Sequence, residues 1–182
     1  MPVKGEDPVG PFPPGADPAE YDKLRRRVLW SMPSGLYVIG SRHGERRNGM
    51  TANWVQQVSF DPKLVAVSVE DHAVTHELIA AGGAFTVNLV DREDRAIVRK
   101  FTKPVDVDLE ARTLNGFPFH DARCTGAPVL DQAVAYVDCE VRQQVDCGTS
   151  TLFLGEVVDA GFQKDEATPV LRMEDTRMSY GG

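Results

Sequence analysis

The chain has 182 residues and a mass of 20.0 kDa, with 42% apolar and 26% charged residues, which suits one globular domain that buries a core without disulfide or metal. Its 20 basic and 27 acidic side chains give a net charge of −7, and the longest basic run is Arg25-Arg26-Arg27, so phosphate-driven nucleic-acid binding is not expected. A single phosphate, which needs only local donors, remains open.

Cys124, Cys139 and Cys147 show no C-x-x-C or Cys/His ligand spacing and read as reduced thiols. No apolar stretch has the length of a membrane span and no apolar leader stands at the N-terminus, so a cytoplasmic location without a membrane partner is expected.

Six of the twelve prolines fall within residues 1–20, so residues 1–17 read as a flexible Pro/Gly-rich arm and 18–182 as the folded domain. Phe12 offers the arm an anchor on a neighbouring subunit. A helix then starts at Asp17 (cap), Pro18 and Glu20. Tyr21, Leu24, Val28 and Met32 form its apolar face, and Met32-Pro33-Ser34-Gly35 ends it. The arginine run suits the negative end of this helix and needs no ligand to explain it.

Strands follow: Gly35 to Ser41, a polar hairpin connection from Arg42 to Gly49, Met50 to Phe60, and Leu64 to Glu70. A short helix from Val74 to Ala81 ends at Gly82-Gly83. Ala84 to Val90 is another strand, and Asp91 caps a helix running to Phe101. Residues 102–132 are loop-rich. Val134 to Val145 and Thr151 to Phe162 are antiparallel, because Cys147–Ser150 is too short for a crossover. A last short strand lies near Val170. Direct strand-to-strand links and few helices predict a mainly β fold, an antiparallel barrel with short peripheral helices. Neither a G-x-G-x-x-G nor a P-loop pattern occurs.

His72 and His76 have the spacing of a zinc pair, but no third ligand is placed, so they read as a solvated face, with Asp71 available as a helix cap. There is no G-x-S-x-G elbow. Cys139 reads as core filling, and Cys147 as a thiol beside a turn. The most informative segment is 48–60, a strand of uncharged polar residues. Thr51, Asn53, Gln57 and Ser59 share one face; Met50, Ala52, Trp54, Gln56 and Val58 share the other. Such a strand is either an exposed face or the lining for a polar, planar ligand approaching the backbone. Leu64 to Ile79 runs from a buried strand into a helix start bearing Ser68 and Thr75, a good phosphate seat.

At these residues the chain resembles the flavin reductase-like, FMN-binding split-barrel family. The matching pieces are Asn48-Gly-Met-Thr-Ala-Asn, Val58-Ser-Phe-Asp-Pro-Lys-Leu-Val-Ala-Val-Ser-Val and Thr75-His-Glu-Leu-Ile with Gly83-Ala-Phe-Thr-Val-Asn-Leu. Further along are Gly116-Phe-Pro, Gly126-Ala-Pro-Val-Leu, Val137-Asp-Cys-Glu-Val and Leu152-Phe-Leu-Gly-Glu-Val-Val. The resemblance covers about residues 25–180 and implies a six-stranded antiparallel split β-barrel. It also implies a homodimer with FMN, or FAD, near the subunit interface.

Carried over from the family, Asn48, Gly49 and Met50 lead into the cofactor site, and Thr51, Ala52, Asn53 and Trp54 line the isoalloxazine ring. Ser68, Val69, Glu70 and Thr75 follow the ribityl chain towards the phosphate, and Asn88 stands behind them. Ser150 occupies the place of a family histidine that helps bind nicotinamide, and is carried over as the nicotinamide-binding position. The implied activity is reduction of flavin by NADH or NADPH, often for a partner oxygenase. An electron carrier with another donor and a non-catalytic flavin-binding dimer are the alternatives. Neither a catalytic acid or base nor a metal is implied, because hydride transfer is the cofactor's own chemistry.

Overall fold

The structure is a computed structural model that describes residue 8 and residues 10–178. The expected arm at 1–17 therefore lies partly outside the described residues. In chain order the elements are α1 (Pro18–Trp30), β1 (Tyr37–His43), β2 (Arg46–Ala52), β3 (Val55–Phe60), β4 (Lys63–Glu70) and α2 (Val74–Gly82). They continue with β5 (Ala84–Leu89), α3 (Arg95–Lys100), β6 (Val107–Asp108), β7 (Thr113–Leu114) and β8 (Phe117–Asp121). Last come β9 (Pro128–Leu130), β10 (Ala135–Asp146), β11 (Ser150–Phe162) and a 3₁₀ turn at Met173–Asp175.

The main sheet has seven antiparallel strands in the order β2-β1-β5-β10-β11-β4-β3, and a second sheet of four short strands runs β6-β7-β8-β9. The fold is thus mainly β, as expected, but the strand count differs from six for two reasons. The continuous strand expected over 50–60 breaks at Asn53-Trp54, and the loop-rich segment 102–132 pairs into short strands. The break has a topological cause. β2 and β3 are the two edges of the sheet, yet only Asn53-Trp54 separates them in sequence. A link this short spans roughly 10 Å, so the sheet bends back until its edges meet at that corner.

The hairpin turn also lies elsewhere than expected. It is Gly44-Glu45, with Gly44 in the left-handed region, and β1–β2 pairing runs through Ser41↔Asn48 and Gly40↔Gly49. Asn48-Gly49 is inside the strand because Gly49 packs under the Phe101 ring, where a Cβ would lie 2.7 Å from Cε1. The helix expected from Asp91 begins only after Asp94. Asp91 is held instead by Lys164 Nζ at 2.8 Å and by the Glu93 amide at 3.0 Å.

Alternation along β1 divides the core. Val38 joins Leu36, Ile97, Phe101, Leu130 and Leu171, whereas Ile39 joins Val67, Val69, Ile79, Phe85, Cys139 and Phe153. Cys139 is core filling, its thiol pushed by burial up to about 12. Helix α1 contributes no buried residue, and Leu24, Val28, Leu29 and Met32 are exposed. Phe12 packs on this same helix, edge-on to Tyr21 at 6.4 Å and 5.7 Å from the Arg25 guanidinium carbon.

Candidate functional site

The corner where the two sheet edges meet opens into a cleft of about 870 Å³. Its floor is Asn53 and Trp54 from the edge-to-edge link, Ala66 and Ser68 from β4, and Leu152 from β11. These side chains share one face because Ser68 pairs with Leu152 across the ladder. The walls are Leu29 and Trp30 of α1, Ser34 and Tyr37 after it, and Arg172 with Met173 from the C-terminal segment. An isolated bridge between Gly35 and Arg172 ties those two segments together.

Ser34, Tyr37, Asn53, Gln56, Ser68, Arg172 and Glu174 bring polar groups to the cleft. The Ser68 amide donates to the Trp54 carbonyl at 3.1 Å and holds the link against β4. The Ser34 hydroxyl is shielded from solvent without a hydrogen-bond partner among the described residues. A buried hydroxyl left unpaired costs about 1–3 kcal/mol, so a ligand carbonyl or ring nitrogen there relieves an existing penalty. Burial raises the Tyr37 phenol above its ordinary value and keeps it a neutral donor. Gly35 leaves room for the Tyr37 ring beside it, since a Cβ there would make the ring shift.

The carried-over positions divide by place. Asn53, Trp54 and Ser68 line the cleft. Thr51 faces away from it, its hydroxyl donating to the Val98 carbonyl at 2.5 Å and its amide to the Phe101 carbonyl at 3.1 Å. Ala52 and Val69 are core, Met50 packs against that core, and Gly49 lies under Phe101. Asn48 and Thr75 form a second group: Asn48 Nδ2 donates to Thr75 Oγ1 at 2.8 Å at the start of α2. That helix has Ala73 as N-cap with no side-chain cap, so its first amides have no side-chain acceptor. Glu70 closes β4 just before it, 3.3 Å from the His72 ring.

Asn88 is committed to the fold. It donates to the Val38 carbonyl at 3.0 Å and accepts from the Leu130 amide at 2.8 Å. Ser150 is only 6% exposed, at the first position of β11, on the same face as Leu152 and paired with Glu70. Asp71 does not cap α2; it accepts from the Thr151 hydroxyl at 2.9 Å. His76 Nε2 lies 2.9 Å from that same hydroxyl, and His72 precedes the helix, so the two imidazoles do not form a helical pair. Among the described residues no cluster of His, Cys, Asp and Glu could hold a metal.

Sequence reasoning did not single out Ser34, Tyr37, Leu152 or Arg172. Leu152 was within reach, because an antiparallel β4–β11 ladder puts it opposite Ser68. Arg172 had no local signal, since a bridge to a residue far earlier in the chain positions it.

A family profile described as "Flavin reductase like domain" matches residues 29–181. The chain belongs to the flavin reductase-like family. One curated relative is the high molecular weight rubredoxin of Moorella thermoacetica, 32% identical over 136 residues that cover 74% of this chain. The matched region is 58% of that relative's own length. The solved structure of the NADH:FAD oxidoreductase of Streptomyces globisporus is similar with a TM-score of 0.76 and 28% identity, covering 92% of this chain and 96% of that one. The styrene monooxygenase flavin reductase of Pseudomonas putida S12 gives a TM-score of 0.67 at 27% identity, covering 81% and 90%. In this flavin reductase-like chain, Trp30, Trp54 and Leu152 line the cleft together with Ser34 and Ser68.

Proposed function

We propose that the protein is a flavin reductase that uses NADH or NADPH to reduce a flavin held in the cleft, for a partner oxygenase or another acceptor. The observation that supports it most directly is the cleft itself, lined by both aromatic and polar side chains and open at the sheet corner, with the unsatisfied Ser34 hydroxyl inside. On this reading Trp54 and Trp30 flank the ring of FMN or FAD, and Ser68 and Ser34 orient it. Strand β4 leads from Ser68 to Glu70 and then to α2, whose uncapped amides and Asn48–Thr75 pair suit the cofactor phosphate. A flavin placed there supplies the hydride chemistry at its ring. The chain binds and orients, shields the ring with Trp30, Trp54 and Leu152, and keeps the Tyr37 hydroxyl protonated as a donor.

The family's homodimer belongs to the same proposal. The exposed apolar side chains of Leu24 and Val28 on α1, with Met32 just after it, suit a second subunit. Light scattering should then give twice the 20.0 kDa chain mass, and a monomer that still holds flavin would refute the dimer. A reducing cytoplasm fits the two exposed free thiols, Cys124 and Cys147. The burial of Ser150, at the place of a nicotinamide-binding histidine, favours a second reading in which another donor reduces the flavin.

The test is flavin titration followed by fluorescence. Trp54→Ala should weaken FMN binding roughly tenfold, as expected for losing one flanking aromatic face. Affinity equal to that of the unsubstituted protein would place the flavin elsewhere.

A further inference from the structure

We propose that Arg172, with the hydroxyls of Ser34 and Tyr37, forms a three-donor clamp on the polar edge of the flavin and stabilises the negative charge that this edge carries once the flavin is reduced. The proposal rests on the reading of the cleft as a flavin site and adds how this chain sets the cofactor's electronic state.

The three donors converge for a backbone reason. Gly35 and Arg172 form an isolated antiparallel bridge. On either side of it the Leu36 amide donates to the Leu171 carbonyl at 3.2 Å, and the Met173 amide to the Ser34 carbonyl at 3.0 Å. The segment after α1 and the C-terminal segment are thus locked in register, and Ser34 and Arg172 both line the cleft there. The Tyr37 hydroxyl lies over the same bridge, since a Cβ at position 35 would be 2.1 Å from its oxygen.

Each donor suits a ligand. The Ser34 hydroxyl is shielded from solvent and has no hydrogen-bond partner among the described residues. Burial raises the Tyr37 phenol, so it stays protonated and donates. Arg172 is the one cation among the described residues that line the cleft. Its Nη1 lies 2.7 Å from Glu174 Oε1, but both side chains are half-exposed, so this pair is weak and exchanges readily. Asp175 competes little. Its Oδ2 is 3.6 Å from Arg172 Nε and already accepts from Arg92 Nε and from the Arg172 amide, each at 3.0 Å. The guanidinium fork can therefore turn to a ligand.

An isoalloxazine ring has one edge of carbonyls and ring nitrogens and one edge of methyl groups. Only the first matches three donors. A hydride delivered to N5 breaks the C4–H bond of the dihydronicotinamide, oxidises that ring, and leaves two more electrons and one negative charge on the flavin, at its N1–C2=O edge. Arg172 sets a positive charge beside that edge in a cleft partly screened from water. The oxidised edge is neutral and gains only ordinary hydrogen bonds. The clamp thus holds reduced flavin more tightly than oxidised flavin and raises its midpoint potential.

The test uses the full chain loaded with FMN and reduced by dithionite beside a reference dye. No nicotinamide is present, so the midpoint potential reads the clamp and not the electron donor. Arg172→Leu should weaken reduced FMN about tenfold relative to oxidised FMN, the scale of one charge-assisted contact, and so lower the midpoint potential by about 30 mV. Glu174→Gln removes the competing carboxylate and should move the same ratio about threefold the other way, as suits an exposed pair. Arg172→Lys keeps the charge and loses the fork, so it should fall between Arg172→Leu and the unsubstituted protein. Affinity for oxidised FMN should stay within about threefold in all three. The bridge is made by backbone groups and both side chains are half-exposed, so the variants keep the fold. A shift of less than about twofold in Arg172→Leu, a Glu174→Gln shift in the same direction, or equal loss of oxidised and reduced FMN would each overturn the proposal. Failure of the unsubstituted protein to bind FMN would overturn the flavin-site reading itself, and shows before any potential is measured.

Discussion

Replacing Gly49 with Ala tests why an Asn-Gly pair stands inside a strand and not at its turn. A Cβ at 49 would lie 2.7 Å from Cε1 and 2.8 Å from Cδ1 of Phe101. Real carbon contacts sit near 3.5–4.0 Å, so the ring must retreat by about 1 Å. It has little room: Phe101 is 2% exposed and packs on Phe117 with ring centroids 5.7 Å apart. Overpacking of this kind costs about 1–3 kcal/mol, which in a domain of this size lowers Tm by about 2–12 °C. The damage also reaches the site's support, because the Phe101 carbonyl accepts from the Thr51 amide. The assay is thermal unfolding of Gly49→Ala, Phe101→Leu and the double variant. The account predicts that Phe101→Leu relieves part of the Gly49→Ala cost, a coupling of about 0.5–3 kcal/mol. Strict additivity, or a neutral Gly49→Ala, would refute the packing argument.

Asn88→Ala should destabilise the protein by about 2–3 kcal/mol in denaturant titration, because it strands the buried Leu130 amide and Val38 carbonyl. A change under 0.5 kcal/mol would show that neither bond matters. In alkylation at pH 8, Cys124 and Cys147 should react while Cys139 does not. With its thiol pushed up to about 12, Cys139 stays protonated at pH 8 and gains reactivity only on unfolding; modification of native Cys139 would contradict this. Ser150→His should raise kcat/KM for NADH mainly through KM, since position 150 faces the same side as Leu152 in the cleft. Saturation at unchanged NADH concentration would remove position 150 from nicotinamide binding.

What was legible in the sequence follows the range of the physics. The β10–β11 pair was legible because a tight connection between two long strands leaves one solution. α2 was legible from its own spacing and its left-handed Gly83. The break at Asn53-Trp54 was not, because it arises from closing a curled sheet, a constraint spread over seven strands. The same holds within the site. Polar, uncharged residues in 48–60 pointed to a lining for a planar ligand, and Asn53 and Trp54 from that segment line the cleft with Ser68. Thr51 was carried over from the family as a ring-lining residue, yet its hydroxyl serves the Val98 carbonyl. Asn48-Gly49 looks like a turn locally, but the partners that decide otherwise, Thr75 and Phe101, lie 27 and 52 positions away.

The central claim is that the cleft at the sheet corner holds a flavin that a nicotinamide nucleotide reduces. The most direct measurement is anaerobic: load the protein with FMN at about one per chain, remove free flavin, add NADH, and follow the visible absorbance. The account predicts that the bound flavin's absorbance bleaches with a rate that saturates in NADH, and that Trp54→Ala, which lines the cleft, loses the loaded flavin. Flavin that stays oxidised under excess NADH, or that Trp54→Ala retains and reduces as well as the unsubstituted protein, would contradict it.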